Sequence, residues 1–296
     1  MNNPYIVLPV IFQLLIAILL MFSWSSKNIQ KLISVTGSII ALIISLLLLI
    51  KVDNEGIQIM QAGGWGAPFG ITFVADSFSA LLVLLTAIAG LAVSVYSVGS
   101  VRNARIKFGY FPIFHLLIMG LSGAFLTGDL FNLYVWFEII IISSFVLLTI
   151  GGEKAQIEGA IKYVTMNLLA SVIFLTAIAI LYGLTGSLNM ADLSLRVAEI
   201  ENRGLVNVTA ILFLVGFGIK SAVFPLYFWL PASYHTPPPA ISAIFGGLLT
   251  KVGVYAMLRV FTLIFVPDTF LSTVIMVLAI FTILSGGIGA LIQNNI

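Results

Sequence analysis

Three ionisable side chains stand in stretches otherwise too apolar to hold them, and any chemistry in this chain must start there. Glu138 lies in FNLYVWFEIIIISSF, Lys220 in LVGFGIKSAVFPL and Lys251 in GGLLTKVGVY. If these stretches are membrane helices, each charge costs about 2.5–3.5 kcal/mol on insertion scales. A lysine that gains or loses a carboxylate partner at such depth can load and release a proton near neutral pH. Burial disfavours the ammonium form, and the carboxylate restores it. In that scheme Glu138 is the modulating charge, Lys220 the switched site and Lys251 the next relay station. The bland alternative is a structural Glu138–Lys220 ion pair, with Lys251 snorkelling to an interface. Snorkelling suits residues within a turn or two of a helix end, and these lie deeper. A buried pair also returns little stability, because desolvation offsets much of the attraction. The proton-pathway reading is therefore preferred.

The composition requires a membrane around these residues. Hydrophobic residues make up 60% of the 296 and charged residues 8%, with a mean hydropathy of +1.18. A soluble domain carries about 25% charged residues. The formal net charge of +2 excludes a large basic surface for nucleic acid, so no nucleic-acid partner is expected. There are no cysteines, which removes thiol redox chemistry, Cys-held zinc and iron–sulfur clusters. No HExxH motif occurs, and His115 and His235 are too far apart in sequence to build a haem or metal site. No cofactor, metal or catalytic residue is expected, and an intramembrane enzyme is disfavoured.

Spanning about 30 Å of hydrocarbon takes roughly 20 apolar residues in a helix, and in lipid only a helix satisfies its own backbone. That ruler predicts nine spans, near 6–23, 32–50, 75–96, 111–127, 130–149, 161–182, 205–229, 241–261 and 271–291. The first apolar run follows Pro4 and Pro9 without a basic segment, so it reads as a helix and not a cleaved signal. Residues 52–72, rich in Gly and polar side chains, read as a long loop, and 188–203 as an interfacial helix. Glu138 then sits about 12 Å into the fifth span at 1.5 Å per residue. Lys220 and Lys251 fall near the midplane. Pro225, five residues after Lys220, removes a backbone hydrogen bond and clashes with the preceding turn, so the seventh span is interrupted. Discontinuous helices of this kind line transporter sites.

Loop charge predicts orientation. Lys27, Lys31, Arg102, Arg105, Lys107, Lys154 and Lys162 fall on one side, against Lys51, Arg196, Arg203 and Arg259 on the other. Seven against four places the N-terminus outside and Ile296 in the cytoplasm. Among lesser candidates, His235 lies in the break or loop near the cytoplasm, where a histidine could admit protons. His115 could relay, or merely hydrogen-bond near an interface. Asp129, at the outer mouth of the fifth span, reads as a helix cap, with ion entry as the alternative, Asp76 as a cap, and Arg259 as a helix-end residue.

The run GIKSAVFPLYFWLPASYHTPPPAISAIFGGLLTKVGVYAMLR (218–259) resembles the core signature of antiporter-like subunits shared by respiratory complex I and Mrp-type cation/proton antiporters. GDLFNLYVWFEIIIISSFVLL (128–148) resembles their fifth helix with its glutamate. The wording is most similar to the D subunits of Mrp-type antiporters, and the resemblance covers the whole chain. It implies an all-α polytopic fold and matches Glu138 and Lys220 to the family's glutamate–lysine pair and Lys251 to its next lysine. It also implies three regions: helices one to three (1–110), a first half-channel of helices four to eight (111–261), and the start of an inverted second repeat (262–296). Relative to the family's roughly fourteen helices, the chain reads as truncated after the ninth, a fragment or a shortened gene product. The implied function is exchange of cytoplasmic Na+ for external H+ within a multi-subunit cell-membrane complex of hydrophobic subunits. The alternative is proton pumping in a complex I-like NADH–quinone oxidoreductase or a membrane-bound hydrogenase.

Overall fold

The computed structural model describes residues 3–265 and 269–292, so Ile296, expected on the cytoplasmic side, lies outside the described residues. The chain opens with a 3-10 turn, Pro4–Val7, capped by Asn3, and continues as α1 (Leu8–Phe22) and α2 (Lys27–Glu55). Then come strands β1 (Gln58–Gln61) and β2 (Thr72–Ala75), followed by α3 (Ser77–Ser100), the short α4 (Asn103–Lys107), α5 (Tyr110–Leu126), α6 (Leu130–Thr149) and α7 (Lys154–Thr185). After these lie α8 (Met190–Glu199), α9 (Arg203–Lys220), α10 (Trp229–Ser233), α11 (Pro239–Ile244), α12 (Thr250–Arg259) and α13 (Thr269–Ile292). π-helical turns at Phe245–Leu249 and Val260–Ile264 flank α12 and join it to α11 as one apolar helix, Pro239–Ile264. Eight described helices are at least 18 residues long and apolar enough to cross a membrane, and the 17-residue α5 is the ninth apolar span. The nine spans read from the sequence are therefore present, in a polytopic all-α membrane protein.

α5 is the hub. All of its 17 residues except Ile113 and Leu116 are buried, because α1, α3, α6 and α12 pack around it. The outer helices bury only one side and turn Leu47, Ile142 and Val172 outward. That surface is stable only against hydrocarbon.

The connections alternate between two ends. At one end Arg105 pairs with Glu153 (3.1 Å), and Gln156 Nε2 donates to Thr236 O (3.2 Å). At the other, Gly128 N donates to Thr72 O (2.8 Å), Asn189 Nδ2 donates to Thr72 Oγ1 (3.0 Å), and Asp76 pairs with Arg259. These are the two loop sets that the span count separates.

Two details depart from the sequence reading. The 52–72 loop holds an antiparallel hairpin, with Gln58 opposite Ala75 and Gln61 opposite Thr72. α2 runs on to Glu55 and stops where Gly56 takes φ 78°. The strands are four residues each, too short for alternation to register against the glycines between them. The interfacial helix of 188–203 is present as α8, with Asn189 accepting from the N–H groups of Ala191 and Asp192.

Candidate ion-translocation site

Lys220 is the last residue of α9, and that helix ends by a specific device. Ala222 takes φ 56°, its N–H bonds Ile219 O (3.1 Å), and Val223 N bonds Gly218 O (2.9 Å). This is a Schellman ending with alanine where glycine is usual, a conformation that is strained for a residue with a Cβ. Pro225 forbids continuation and pushes Phe224 out of helical geometry. Residues 221–228 are non-helical before α10 resumes. The break thus starts at Lys220 itself and extends well beyond a kink at Pro225. Its freed backbone groups find partners: Trp229 Nε1 donates to Ile219 O (3.0 Å), and Phe224 N donates to Thr282 Oγ1 of α13 (3.0 Å).

The Lys220 amine is inside the protein. The residue is 4% exposed, its Nζ donates to Ser171 Oγ (3.1 Å), and it lies 4.6 Å from the centroid of the Phe137 ring. The ring face favours a cation. Ser171 belongs to a stripe on α7 with Tyr163 and Asn167, spaced four residues apart and so on one helix face. Tyr163 is tied to Ser144 Oγ of α6 (2.6 Å), and Asn167 Nδ2 donates to Tyr163 O (2.9 Å).

Glu138, one residue after Phe137 on α6, is half-buried, and its Oε1 is enclosed without a hydrogen-bond partner among the described residues. Neither Glu138 nor Lys220 joins an ion pair within 4.0 Å among the described residues. The carboxylate still acts on the amine electrostatically, as charges do across a low-dielectric interior. Two partners close enough to couple but not clamped together can change their relative protonation.

The structure does not gather the other candidates around Lys220. Lys251, at mid-length of Pro239–Ile264, is exposed on the surface of this chain, and its Nζ caps Gly246 O, released where the helix widens into a π turn. His235 is exposed in the connection between α10 and α11, with Nδ1 donating to Pro231 O (2.7 Å) and Nε2 left for solvent. His115 is fully buried elsewhere, between Gln13 Oε1 (2.7 Å) and Ser34 Oγ (2.9 Å), and ties α5 to α1 and α2. Asp129 caps α6 through Asn132 N (2.8 Å), and burial lifts its carboxyl above the usual range despite that bond. Asp76 caps α3 and pairs with Arg259, whose Nε donates to Tyr255 (3.0 Å). Burial pushes the Asp76 carboxyl up, but Arg259 and the Ser79 N–H more than offset it and hold it below the usual range.

Sequence reasoning missed Tyr163, Asn167 and Ser171, although polar residues at every fourth position of an apolar span were a legible signal. It also missed Tyr234, which looks like a loop residue, and Gly253. A Cβ on Gly253 would stand 2.9 Å from Ser221 N and 3.1 Å from Lys220 C. The bare glycine is what lets α12 touch the end of α9.

The family model for NADH:quinone oxidoreductase/Mrp antiporter, TM, matches residues 127–296. The Na(+)/H(+) antiporter D subunit of Bacillus subtilis strain 168 is 48% identical across 100% of this chain and 60% of its own length. The protein of the same name from Alkalihalophilus pseudofirmus is 44% identical across 99% of this chain and 59% of its own. The chain thus spans about 60% of the length of these curated relatives. Among solved structures, the Mrp complex of a Dietzia species superposes with a TM-score of 0.79 at 30% identity, over 88% of this chain and 49% of that one. The membrane-bound sulfane sulfur reductase, an archaeal respiratory membrane complex, superposes with a TM-score of 0.82 at 29% identity, over 87% and 53% respectively. The match over the site-bearing half, 127–296, together with the broken α9 that carries Lys220, places this chain in the NADH:quinone oxidoreductase/Mrp antiporter transmembrane family.

Proposed function

We propose that this chain is the ion-translocating part of a D-type subunit in a multi-subunit Na+/H+ antiporter, and that Lys220 is its proton-switching site. The observation that carries the reading is the buried amine at the end of a broken helix, within electrostatic reach of a Glu138 carboxylate oxygen that has no hydrogen-bond partner among the described residues. Residues 111–261 act as one half-channel. Lys251 faces off this chain at mid-membrane depth, where a charge needs a polar partner, and it passes protons towards a second half-channel or a neighbouring hydrophobic subunit. His235 and the lysine- and arginine-rich loops face the cytoplasm, with the N-terminus outside, in the cell membrane. A second reading is favoured by the likeness to an archaeal respiratory complex: proton pumping in a redox-driven assembly. Co-purification separates the two, with small hydrophobic antiporter subunits in one case and iron–sulfur subunits in the other.

Glu138→Gln removes the charge that favours the Lys220 ammonium while keeping shape. In vesicles bearing the complete complex it should slow Na+-driven proton flux about tenfold or more and change its pH profile, and the Glu138→Gln/Lys220→Met double variant should be no worse than Lys220→Met. Normal exchange by Glu138→Gln at every pH would leave Glu138 a structural residue. Lys251→Arg keeps the charge but cannot release its proton. It should assemble at the normal yield and transport poorly. Full flux in the arginine variant would remove Lys251 from the proton path.

A further inference from the structure

The Tyr234 hydroxyl is buried and has no hydrogen-bond partner among the described residues. Its ring is fixed from two sides, T-shaped on Trp229 with centroids 5.6 Å apart and tilted on Phe245 at 5.3 Å. The oxygen therefore cannot swing out to solvent. Leaving such a group unpaired costs about 1–3 kcal/mol, so its surroundings must supply a partner.

Tyr234 lines a cavity of about 20 Å³ together with Lys220, Asn167 and Tyr163. A cavity of about 10–15 Å³ by this measure admits one water, provided it offers two or more polar partners. Lys220 has three N–H donors, and one is spent on Ser171. Asn167 commits its Nδ2 to Tyr163 O, which leaves its carboxamide oxygen as an acceptor. Tyr163 is already engaged with Ser144. The remaining wall is Phe137, Ile140, Ile141, Leu249 and Trp229, whose Nε1 is already spent on Ile219 O.

We propose that Tyr234 is a positioning residue that holds a single water against the Lys220 amine. The inference rests on the reading of Lys220 as the switching site and deepens it. The water accepts a hydrogen bond from the ammonium and donates to the Tyr234 or Asn167 oxygen. It supplies the hydration that a charged amine at this depth otherwise lacks. The hydroxyl comes from the break between α10 and α11, so the conformation of the break controls the hydration of the site.

Tyr234→Phe keeps the ring and both aromatic contacts and removes only the oxygen. In the complete complex it should assemble at wild-type yield and slow cation-driven proton flux roughly tenfold, the scale of one hydrogen bond to a charged group's solvation. In infrared difference spectra after a pH step, the wild type should show a water O–H stretching band that shifts in heavy-oxygen water. Tyr234→Phe should lose that band, whereas a merely structural tyrosine would leave it in place. Wild-type flux, a retained band or failed assembly in Tyr234→Phe overturns the proposal. Lys220→Met measured alongside separates the two readings. If Lys220→Met itself exchanges normally, the switching-site reading fails. If Lys220→Met is inactive while Tyr234→Phe matches wild type, only the role of Tyr234 falls.

Discussion

Lys220→Met should abolish cation-driven proton exchange while the complex still assembles. Methionine matches the length of the lysine stem and fills irregular space well, so the packing around Phe137 and Ser171 survives. Removing the amine of a residue that is 4% exposed also removes its desolvation cost. What disappears is the only protonatable nitrogen lining the cavity among the described residues. Losing a positioned proton carrier costs about 10²–10⁴ in rate, so flux should fall to the background of vesicles without the complex. The measurement is proton flux on a Na+ pulse, set beside complex yield. Substantial flux in a well-assembled Lys220→Met complex would mean that protons travel elsewhere, and the functional proposal would fail.

Gly253→Ala should damage both stability and transport, although it adds only one methyl group and changes no charge. The new Cβ would meet Ser221 Oγ at 2.5 Å, Ser221 N at 2.9 Å and Lys220 C at 3.1 Å. The hydroxyl can rotate away, but the two backbone atoms cannot. α12 must therefore retreat from the end of α9, or the Schellman ending must distort and carry Lys220 with it. Overpacking of this kind costs about 1–3 kcal/mol. The solubilised complex should melt several degrees lower, and flux should fall by more than the lost protein accounts for. Ser221→Ala should not rescue it, because the backbone contacts remain. A Gly253→Ala complex with wild-type melting and flux would show that this close approach is dispensable.

The position of each apolar span along the chain was legible without a structure. A span in lipid must satisfy its backbone within itself, so span position is a local property of some 20 consecutive side chains. The span carrying Glu138, the interruption near Pro225 and the alternation of the loops followed from it, whereas Lys220, read near the middle of a span, is the last residue of its helix. The small hairpin escaped because its strands owe their existence to contacts with Asn3, Gly128 and Asn189, far away in sequence.

Direction around each helix was decided only by packing. Lys220 and Lys251 look alike in sequence, both amid apolar residues near a midplane, yet one is enclosed by α6 and α7 and the other is exposed. Which face of a helix meets protein depends on partners distant along the chain, and in lipid an outward Leu costs no more than an inward one. For the same reason the sequence could not reveal that Glu138 stands near Lys220 without touching it, or that Tyr234 turns inward while His235 turns out. The sequence alone set which apolar span carries each charge, because a span is a sum over neighbours along the chain. Tertiary structure decided what each charge faces, because that is set by contacts between helices far apart in sequence.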